Sequence, residues 1–182
     1  WRCCKSSGPW ALEELPPLAY GVTDDGDLAV NLYGPGEATV PTPAAGLVRV
    51  QQATRYPFDG EIRLTINPER KTALRVLLRI PGWAAGARIN VNGSALSVVA
   101  APNTYAVVDR VWKDGDVITL HFPMAPQWHR QVNRNLQESR APDGSPVCQE
   151  VLRFEYAAVT RGPLVYSTGL IDGFKVEETI RL

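Results

Sequence analysis

Two adjacent cysteines near the start of the chain, Cys3 and Cys4, have the clearest capacity for chemistry. A disulfide between neighbours closes a strained ring, so the pair is better interpreted as two thiols presented at one place. Thiolates are good zinc ligands. Cys148 brings the total to three, an odd number without paired CxxC spacing. The alternative is that Cys3 and Cys4 are small buried residues at the start of a helix.

Other residues that bind metals in proteins form weaker candidate sites. His121 falls in a predicted strand and His129 in a polar segment, and neither has further ligands at metal spacing, so we expect structural or surface roles. The run Asp24-Asp25-Gly26-Asp27 could hold calcium, but it lacks the EF-hand spacing and is predicted to be a solvated turn. Cys148 has no partner in the pattern and is expected to be a free thiol.

Three tryptophans are candidates for carbohydrate contact. Trp83, Trp112 and Trp128 could stack on sugar rings, as exposed aromatic side chains do in binding modules. Tryptophan in a strand-rich sequence is more often part of the core, and we favour that interpretation for all three. The burial of each ring distinguishes the two roles.

Composition excludes several classes of partner. Nineteen basic and 19 acidic residues cancel, and no basic run exceeds two residues. We therefore expect that neither nucleic acid nor a membrane surface is a partner, and that the ligand is neutral. No apolar run reaches membrane-spanning length and no secretory signal is recognisable. The sequence begins with Trp1, from which we expect a segment of a longer polypeptide, in the cytoplasm or in a periplasmic or secreted location.

A short helix is predicted near the N-terminal end. Ser7 is a candidate cap, Pro9 falls in the first turn, and Leu15 belongs to one apolar face. Pro16-Pro17 should end the helix after about two turns. Because so short a helix cannot stand alone, we expect it to belong to a helical unit upstream of residue 1, with a domain boundary at the turn that contains Asp24.

Residues 25–126 alternate between polar and apolar side chains in short runs, a pattern typical of two packed antiparallel sheets. We therefore predict a mainly β fold, a jelly-roll-like antiparallel β-sandwich preceded by a short helix. Pro81-Gly82 ends the clearest run, Leu74 to Ile80, and Asn92-Gly93 predicts a type I′ hairpin turn. The predicted core includes Leu64, Leu78, Ile80, Trp83 and Ile118.

Two segments are predicted to interrupt the strands. A first strand ends at Gly34-Pro35-Gly36, and the pattern resumes at Leu47. Residues 127–150 are polar and contain several arginines, so we predict a long surface loop. Residues 151–182 restore strand character, with a last strand near Val176, and would complete the sandwich or start a further β-domain.

Seven motifs occur in the order seen in one group of glycosidases, and together they cover nearly the whole chain. They are Cys3-Cys4; Asn31-Leu32-Tyr33; Gln52 and Thr54 before Tyr56-Pro57-Phe58-Asp59-Gly60; Leu78-Arg79-Ile80-Pro81-Gly82-Trp83; Val91-Asn92-Gly93; Trp112-Lys113-Asp114-Gly115-Asp116; and Arg161-Gly162-Pro163-Leu164-Val165-Tyr166. A single motif is weak, whereas seven in order are specific. By these motifs the chain resembles the non-reducing-end β-L-arabinofuranosidase-like enzymes of glycoside hydrolase family 127.

The resemblance implies a parent enzyme in which an upstream (α/α) helical barrel carries the active site and β-sandwich domains follow. Residues 1–24 would be the end of the barrel and residues 25–126 the middle sandwich. Cys3 would be the nucleophile of a retaining glycosidase, and Cys4, together with Cys3, would bind a zinc ion whose other ligands, a Cys and a Glu, lie outside this chain. The substrates would be non-reducing-end arabinofuranosyl or related sugars of plant-type glycans.

The same resemblance names the partners. They would be the carbohydrate substrate and the helical barrel of the same polypeptide, and a homodimer through the β-domains is a further option. The chain by itself would supply mostly the accessory sandwich and would be inactive. A second interpretation, from a different class, is a stand-alone carbohydrate-binding or structural β-sandwich in which Cys3 and Cys4 have no chemistry. A helical segment of several hundred residues upstream would favour the enzyme.

Overall fold

The computed structural model describes residues 2–166, apart from the side chains of residues 2–6, 151, 152, 154 and 156. The chain divides between Met124 and Ala125 into two compact units. Among the described residues, the first unit holds two helices and ten strands, and the second holds three strands. The strand predicted near Val176 lies outside the described residues.

The helical segment differs from the prediction at both ends. Helix α1 spans Arg2–Glu13, so Ser7 and Pro9 lie inside it and not at its start. Helix α2 spans Leu15–Ala19, with Pro16-Pro17 in its first turn, where a missing N–H donor costs no helical hydrogen bond. The proline pair therefore begins a second helix instead of ending the segment. Neither described helix is long and apolar enough to cross a membrane.

Ten strands build the first unit. They are β1 Tyr20–Val22, β2 Leu28–Val30, β3 Gly36–Thr42, β4 Gly46–Thr54, β5 Glu61–Pro68, β6 Thr72–Ile80, β7 Arg88–Val91, β8 Ser94–Ala95, β9 Thr104–Trp112 and β10 Asp116–His121. One sheet has the order β1-β2-β6-β9 and the other the order β3-β4-β5-β10-β7-β8. Neighbours are antiparallel except β2 and β6, which run parallel. The sandwich predicted from the alternating pattern is confirmed.

Side chains from both sheets form one core. Leu64, Leu78, Ile80 and Ile118 are fully buried, as predicted, and each such side chain stabilises the fold by roughly 1.5–3 kcal/mol. Trp83 is only partly buried and packs against the edge of the core. The period-two alternation was informative here because one face of each strand is buried and the other is not.

Two strands of the first unit, β1 and β3, escaped the sequence prediction. β3 lies at the edge of its sheet, where Pro41 faces Leu47 of β4. Proline is tolerated at an edge because its missing N–H would otherwise point to solvent. Only Val40 and Thr42 of this strand are buried, so the apolar alternation that marks the central strands is nearly absent.

A buried carboxylate ties the predicted hairpin turn to the turn between β9 and β10. Asn92 and Gly93 have φ values of 50° and 81°, the positive angles that a type I′ turn requires. Asp116 is buried; its Oδ1 accepts a hydrogen bond from the Asn92 side chain at 2.9 Å and its Oδ2 accepts one from the Lys113 backbone N–H at 3.0 Å. The Arg110 guanidinium lies 3.7 Å from the same carboxylate.

These contacts make part of the stability depend on pH. Burial opposes ionisation of Asp116, but the hydrogen bonds from Asn92 and Lys113 and the charge of Arg110 outweigh it and hold the pKa of this carboxyl below its usual range. A carboxyl with a lowered pKa in the folded chain stabilises the fold above its unfolded pKa, about 4, and the contribution is lost as pH falls through the folded pKa.

We therefore expect Asp116→Asn to cost about 2 kcal/mol of unfolding free energy at neutral pH, because it removes a charged hydrogen-bond acceptor. The difference in unfolding free energy between Asp116→Asn and the unsubstituted chain should shrink as the pH is lowered towards about 2. Urea unfolding curves between neutral pH and about pH 2 measure this difference. Asp114→Asn is the control, because Asp114 is exposed in the same turn. Parallel pH curves for the unsubstituted chain and Asp116→Asn would contradict the assignment.

The polar segment predicted as a loop is a β-hairpin, so that prediction is wrong. In the second unit β11 Pro126–Arg140 pairs with β12 Pro146–Arg161 along its whole length, with one irregularity at Asn135/Leu136, and β13 Leu164–Tyr166 adds to β12. All 15 residues of β11 are exposed. A strand without a buried face has no apolar alternation, which is why the sequence did not reveal it.

Candidate functional site

Cys3 and Cys4 lie in the first turn of α1, and their side chains are outside the described part of the chain. The backbone nevertheless places both residues on one helical segment, residues 2–19, that leads directly into β1 of the sandwich. Successive positions on an α-helix are about 100° apart around its axis. The two cysteines therefore share one turn of α1 and start from different directions around its axis.

The structure does not assemble the weaker metal candidates into a site. Among the side chains described, no group of three or more His, Cys, Asp or Glu residues could hold a metal ion. His121 is exposed at the end of β10, and the His129 Nε2 lies 2.9 Å from the Thr160 hydroxyl. Asp27 is not solvated as predicted: it is buried and pairs with Arg75 at 3.3 Å.

The remaining candidates separate by burial. Trp112 is completely buried and donates from Nε1 to the Leu74 carbonyl at 2.8 Å, so the core role predicted for it is correct. Trp128 is 60% exposed on β11, so the same prediction is wrong for that residue. Cys148, on β12, is an exposed free thiol, as expected.

Asn31, directly after β2, joins the sandwich to the helical segment. Its backbone N–H donates to the Ala19 carbonyl at 2.9 Å, and its side-chain amide donates to the Leu18 carbonyl at 3.1 Å. Its Oδ1 accepts from the Tyr105 hydroxyl at 2.7 Å, and its carbonyl accepts from Arg79 Nε. Every polar group of Asn31 therefore has a protein partner.

A second side-chain amide, that of Gln52, makes hydrogen bonds in the same region. Gln52, buried on β4, donates from Nε2 to the Tyr20 hydroxyl at 2.7 Å and to the Leu32 carbonyl at 3.0 Å. Its Oε1 accepts from the Gly34 N–H at 3.4 Å. We call the group Asn31, Gln52, Tyr20, Arg79 and Tyr105 the helix–sandwich junction, because these residues connect the end of α2 to both sheets.

An aromatic cluster lies beside the junction. The buried Tyr33 donates its hydroxyl to the Arg79 carbonyl at 2.9 Å, and its ring meets Tyr56 and Phe122 edge-on. Trp83 stacks on Tyr56 with ring planes 16° apart. Burial raises the pKa of Tyr33 and of Tyr56 above the usual value despite the nearby charge of Arg79. Both phenols are therefore neutral at physiological pH, and that of Tyr33 acts as a hydrogen-bond donor.

The helical segment exposes several large apolar side chains. Trp10, Leu12 and Leu18 are 69%, 66% and 59% exposed. Leu12 and Leu15 also line a cleft of about 440 Å³ between the helical segment and the β2–β3 connection, opposite Leu32. So many large exposed apolar side chains on one short segment are typical of a surface that packs against another protein element.

Sequence reasoning identified part of this region. Asn31, Gln52 and Arg79 belonged to motifs of the resemblance, but no role had been derived for them, and Tyr20 and Tyr105 were not singled out as site residues. No local pattern could have indicated the contact between Tyr105 and Asn31, which are 74 positions apart in the chain.

Comparison with known proteins identifies the matching region. Residues 27–124 match the family model described as β-L-arabinofuranosidase, GH127 middle domain. A search of curated proteins finds no significant match.

Several solved structures are similar to the chain and cover 81% of it in each case. A GH127 β-L-arabinofuranosidase from Geobacillus stearothermophilus T6 is 30% identical with a TM-score of 0.57, and a protein described as a glycoside hydrolase is 32% identical with a TM-score of 0.58. A GH127 β-arabinofuranosidase at 20% identity and a TM-score of 0.56 shares the fold. The chain spans only 21%, 22% and 34% of their respective lengths. With more than half of its residues matched by the family model, the chain belongs to the GH127 β-L-arabinofuranosidase family, and residues 27–124 are its middle domain.

Proposed function

We propose that the chain is part of a retaining glycosidase in which Cys3 attacks the sugar and the sandwich carries the cysteine-bearing helix. The observation that supports this most directly is the continuity of the molecule: Cys3 and Cys4 lie on the helical segment that runs without a break into the domain matched by the family. The net charge of zero fits a neutral carbohydrate substrate, which we propose to be a non-reducing-end arabinofuranosyl or related residue.

The rest of the active site would come from a helical barrel of the same polypeptide. The exposed Trp10, Leu12 and Leu18 support this partner, because large apolar side chains exposed on one short segment are typical of a surface that packs against another protein element. The first unit supplies the sandwich that follows the helical segment and contacts the end of α2. Without that barrel, we expect the chain by itself to be inactive.

Zinc is the cofactor that the donor set fits. Two adjacent thiols match the preference of zinc for sulfur and would provide two of the usual four ligands. The remaining ligands would belong to the barrel. Zinc, when bound, favours the ionised form of a coordinated thiol at neutral pH.

The proposed chemistry of Cys3 proceeds in two displacements. Its thiolate sulfur attacks the anomeric carbon and forms a carbon–sulfur bond while the glycosidic carbon–oxygen bond breaks, and the leaving oxygen takes a proton from an acid of the barrel. Water then attacks the same carbon from the other side, loses a proton to the same group, and releases the Cys3 thiolate. Two inversions give net retention at the anomeric carbon.

Trapping the intermediate tests this assignment. The full-length enzyme is mixed with an aryl β-L-arabinofuranoside, quenched in acid, digested and analysed by mass spectrometry. We expect a sugar adduct on the peptide that contains Cys3, retention in the released sugar, and no turnover by the 182-residue chain alone. An adduct on Cys4 would reverse the two roles. Turnover with inversion would refute the covalent route, and carbohydrate binding without turnover would favour a binding module.

A further inference from the structure

Asn31 contacts the helical segment at its C-terminal end, where backbone carbonyls lack hydrogen-bond donors. The last carbonyls of a helix have no acceptor role within it. In α2 the carbonyls of Leu18 and Ala19 receive the Asn31 side-chain and backbone N–H groups, at 3.1 and 2.9 Å. The Leu32 N–H also donates to Ala19, at 3.3 Å. The sandwich therefore caps the C-terminal end of this segment.

The orientation of the Asn31 amide is determined by its two neighbours. The Leu18 carbonyl can only accept a hydrogen bond, so the amide nitrogen must face it. The amide oxygen then faces the Tyr105 hydroxyl at 2.7 Å on β9, and Arg79 of β6 donates to the backbone carbonyl of the same residue. One residue thus links α2 to two strands of one sheet.

The far end of the same segment carries the cysteines. α1 has 12 residues and is therefore about 18 Å long. Glu14, between the two helices, keeps helical backbone angles and donates its N–H to the Trp10 carbonyl at 3.3 Å, so helical hydrogen bonding in α1 extends to the residue before α2. A rotation of α1 by about 5° about its C-terminal end would move its first turn by about 1.5 Å.

We propose that Asn31 is a positioning residue for the reaction: through its hydrogen bonds to Leu18 and Ala19 it sets the direction of the helix that presents Cys3 to the substrate. The inference rests on the proposed function. Nucleophilic displacement is sensitive to placement, since an error of about 1 Å at the reacting atom can lower the rate about 100-fold. A residue that only stabilised the fold would not affect placement in the folded enzyme.

The test uses the full-length enzyme with Asn31→Asp, a substitution of nearly equal size that removes the N–H donated to Leu18. We expect kcat to fall about 10- to 100-fold with KM changed less than about twofold and zinc content unchanged. Alkylation of Cys3 by iodoacetamide at neutral pH, followed on its peptide, should slow as well. Tyr105→Phe, which frees the amide but keeps both donors to the helix, should have the same effects in smaller measure.

A control variant separates altered placement from lost stability. Ile66→Val removes one buried methylene far from α2 in the chain and lowers stability without touching the junction, so kcat at a temperature where all variants are folded should be unchanged. The inference would be overturned if Tyr105→Phe and folded Asn31→Asp both kept normal kcat and normal alkylation of Cys3. It would also be overturned if Ile66→Val lost as much kcat as they do. If Asn31→Asp does not fold, Tyr105→Phe decides. Full activity of Cys3→Ser would instead refute the proposed function.

Discussion

Replacing Cys3 by serine in the full-length enzyme should lower kcat by about 1,000-fold or more while most of the bound zinc remains. A hydroxyl is a much poorer nucleophile at neutral pH than a thiolate, so the first displacement should nearly stop. The metal should persist because the other proposed ligands are untouched. Zinc per protein and kcat, measured on the same preparation, test both statements.

Cys4→Ser is the matched control, since it removes a thiol at the neighbouring position of the same helix. Its proposed role is that of a ligand, so zinc content should fall first, and activity should fall with it and partly recover in excess zinc. The reverse pattern, in which Cys4→Ser loses turnover with full zinc, would exchange the two roles. Full activity in both variants would return the cysteines to the alternative of small buried residues.

Trp112→Ala should produce the largest loss of stability in the sandwich, about 3–5 kcal/mol of unfolding free energy. Trp112 is among the largest fully buried side chains, so truncation leaves a cavity in the core between the sheets. It also leaves the Leu74 carbonyl without the indole N–H that donates to it at 2.8 Å, and Arg110 without the ring it lies over at 5.2 Å. The effect therefore combines lost burial with lost polar contacts.

Urea unfolding of the 182-residue chain, followed by far-ultraviolet circular dichroism, measures this change. Trp128→Ala is the control, because that ring is 60% exposed and its loss should change stability by less than about 0.5 kcal/mol. Trp112→Phe should fall between the two, since it keeps most of the volume but not the hydrogen bond. A loss below about 1 kcal/mol for Trp112→Ala would show that the core does not depend on this side chain.

Local sequence patterns were sufficient wherever the physical cause acts within a few residues. The hairpin turn at Asn92-Gly93 follows from backbone angles that these two residues tolerate best, and the structure has those angles. The alternation in β5 and β10 places Leu64 and Ile118 in the core because one face of each strand is buried. The role of Cys3 is a different case: two adjacent thiols fit small buried residues equally well, so its assignment as nucleophile comes only from the family resemblance and stays a proposal.

The tertiary structure decided what depends on neighbours distant in the chain. Pro41 fits β3 only because that strand is at a sheet edge, and β11 is a strand only because β12 pairs with it, with no buried face to mark it. The junction is the clearest case. Asn31 meets Arg79 48 positions later and Tyr105 74 positions later, so its four hydrogen bonds exist only once both sheets and α2 have assembled. A hydrogen bond depends on distance and angle between two groups, and neither is encoded in the residues beside Asn31.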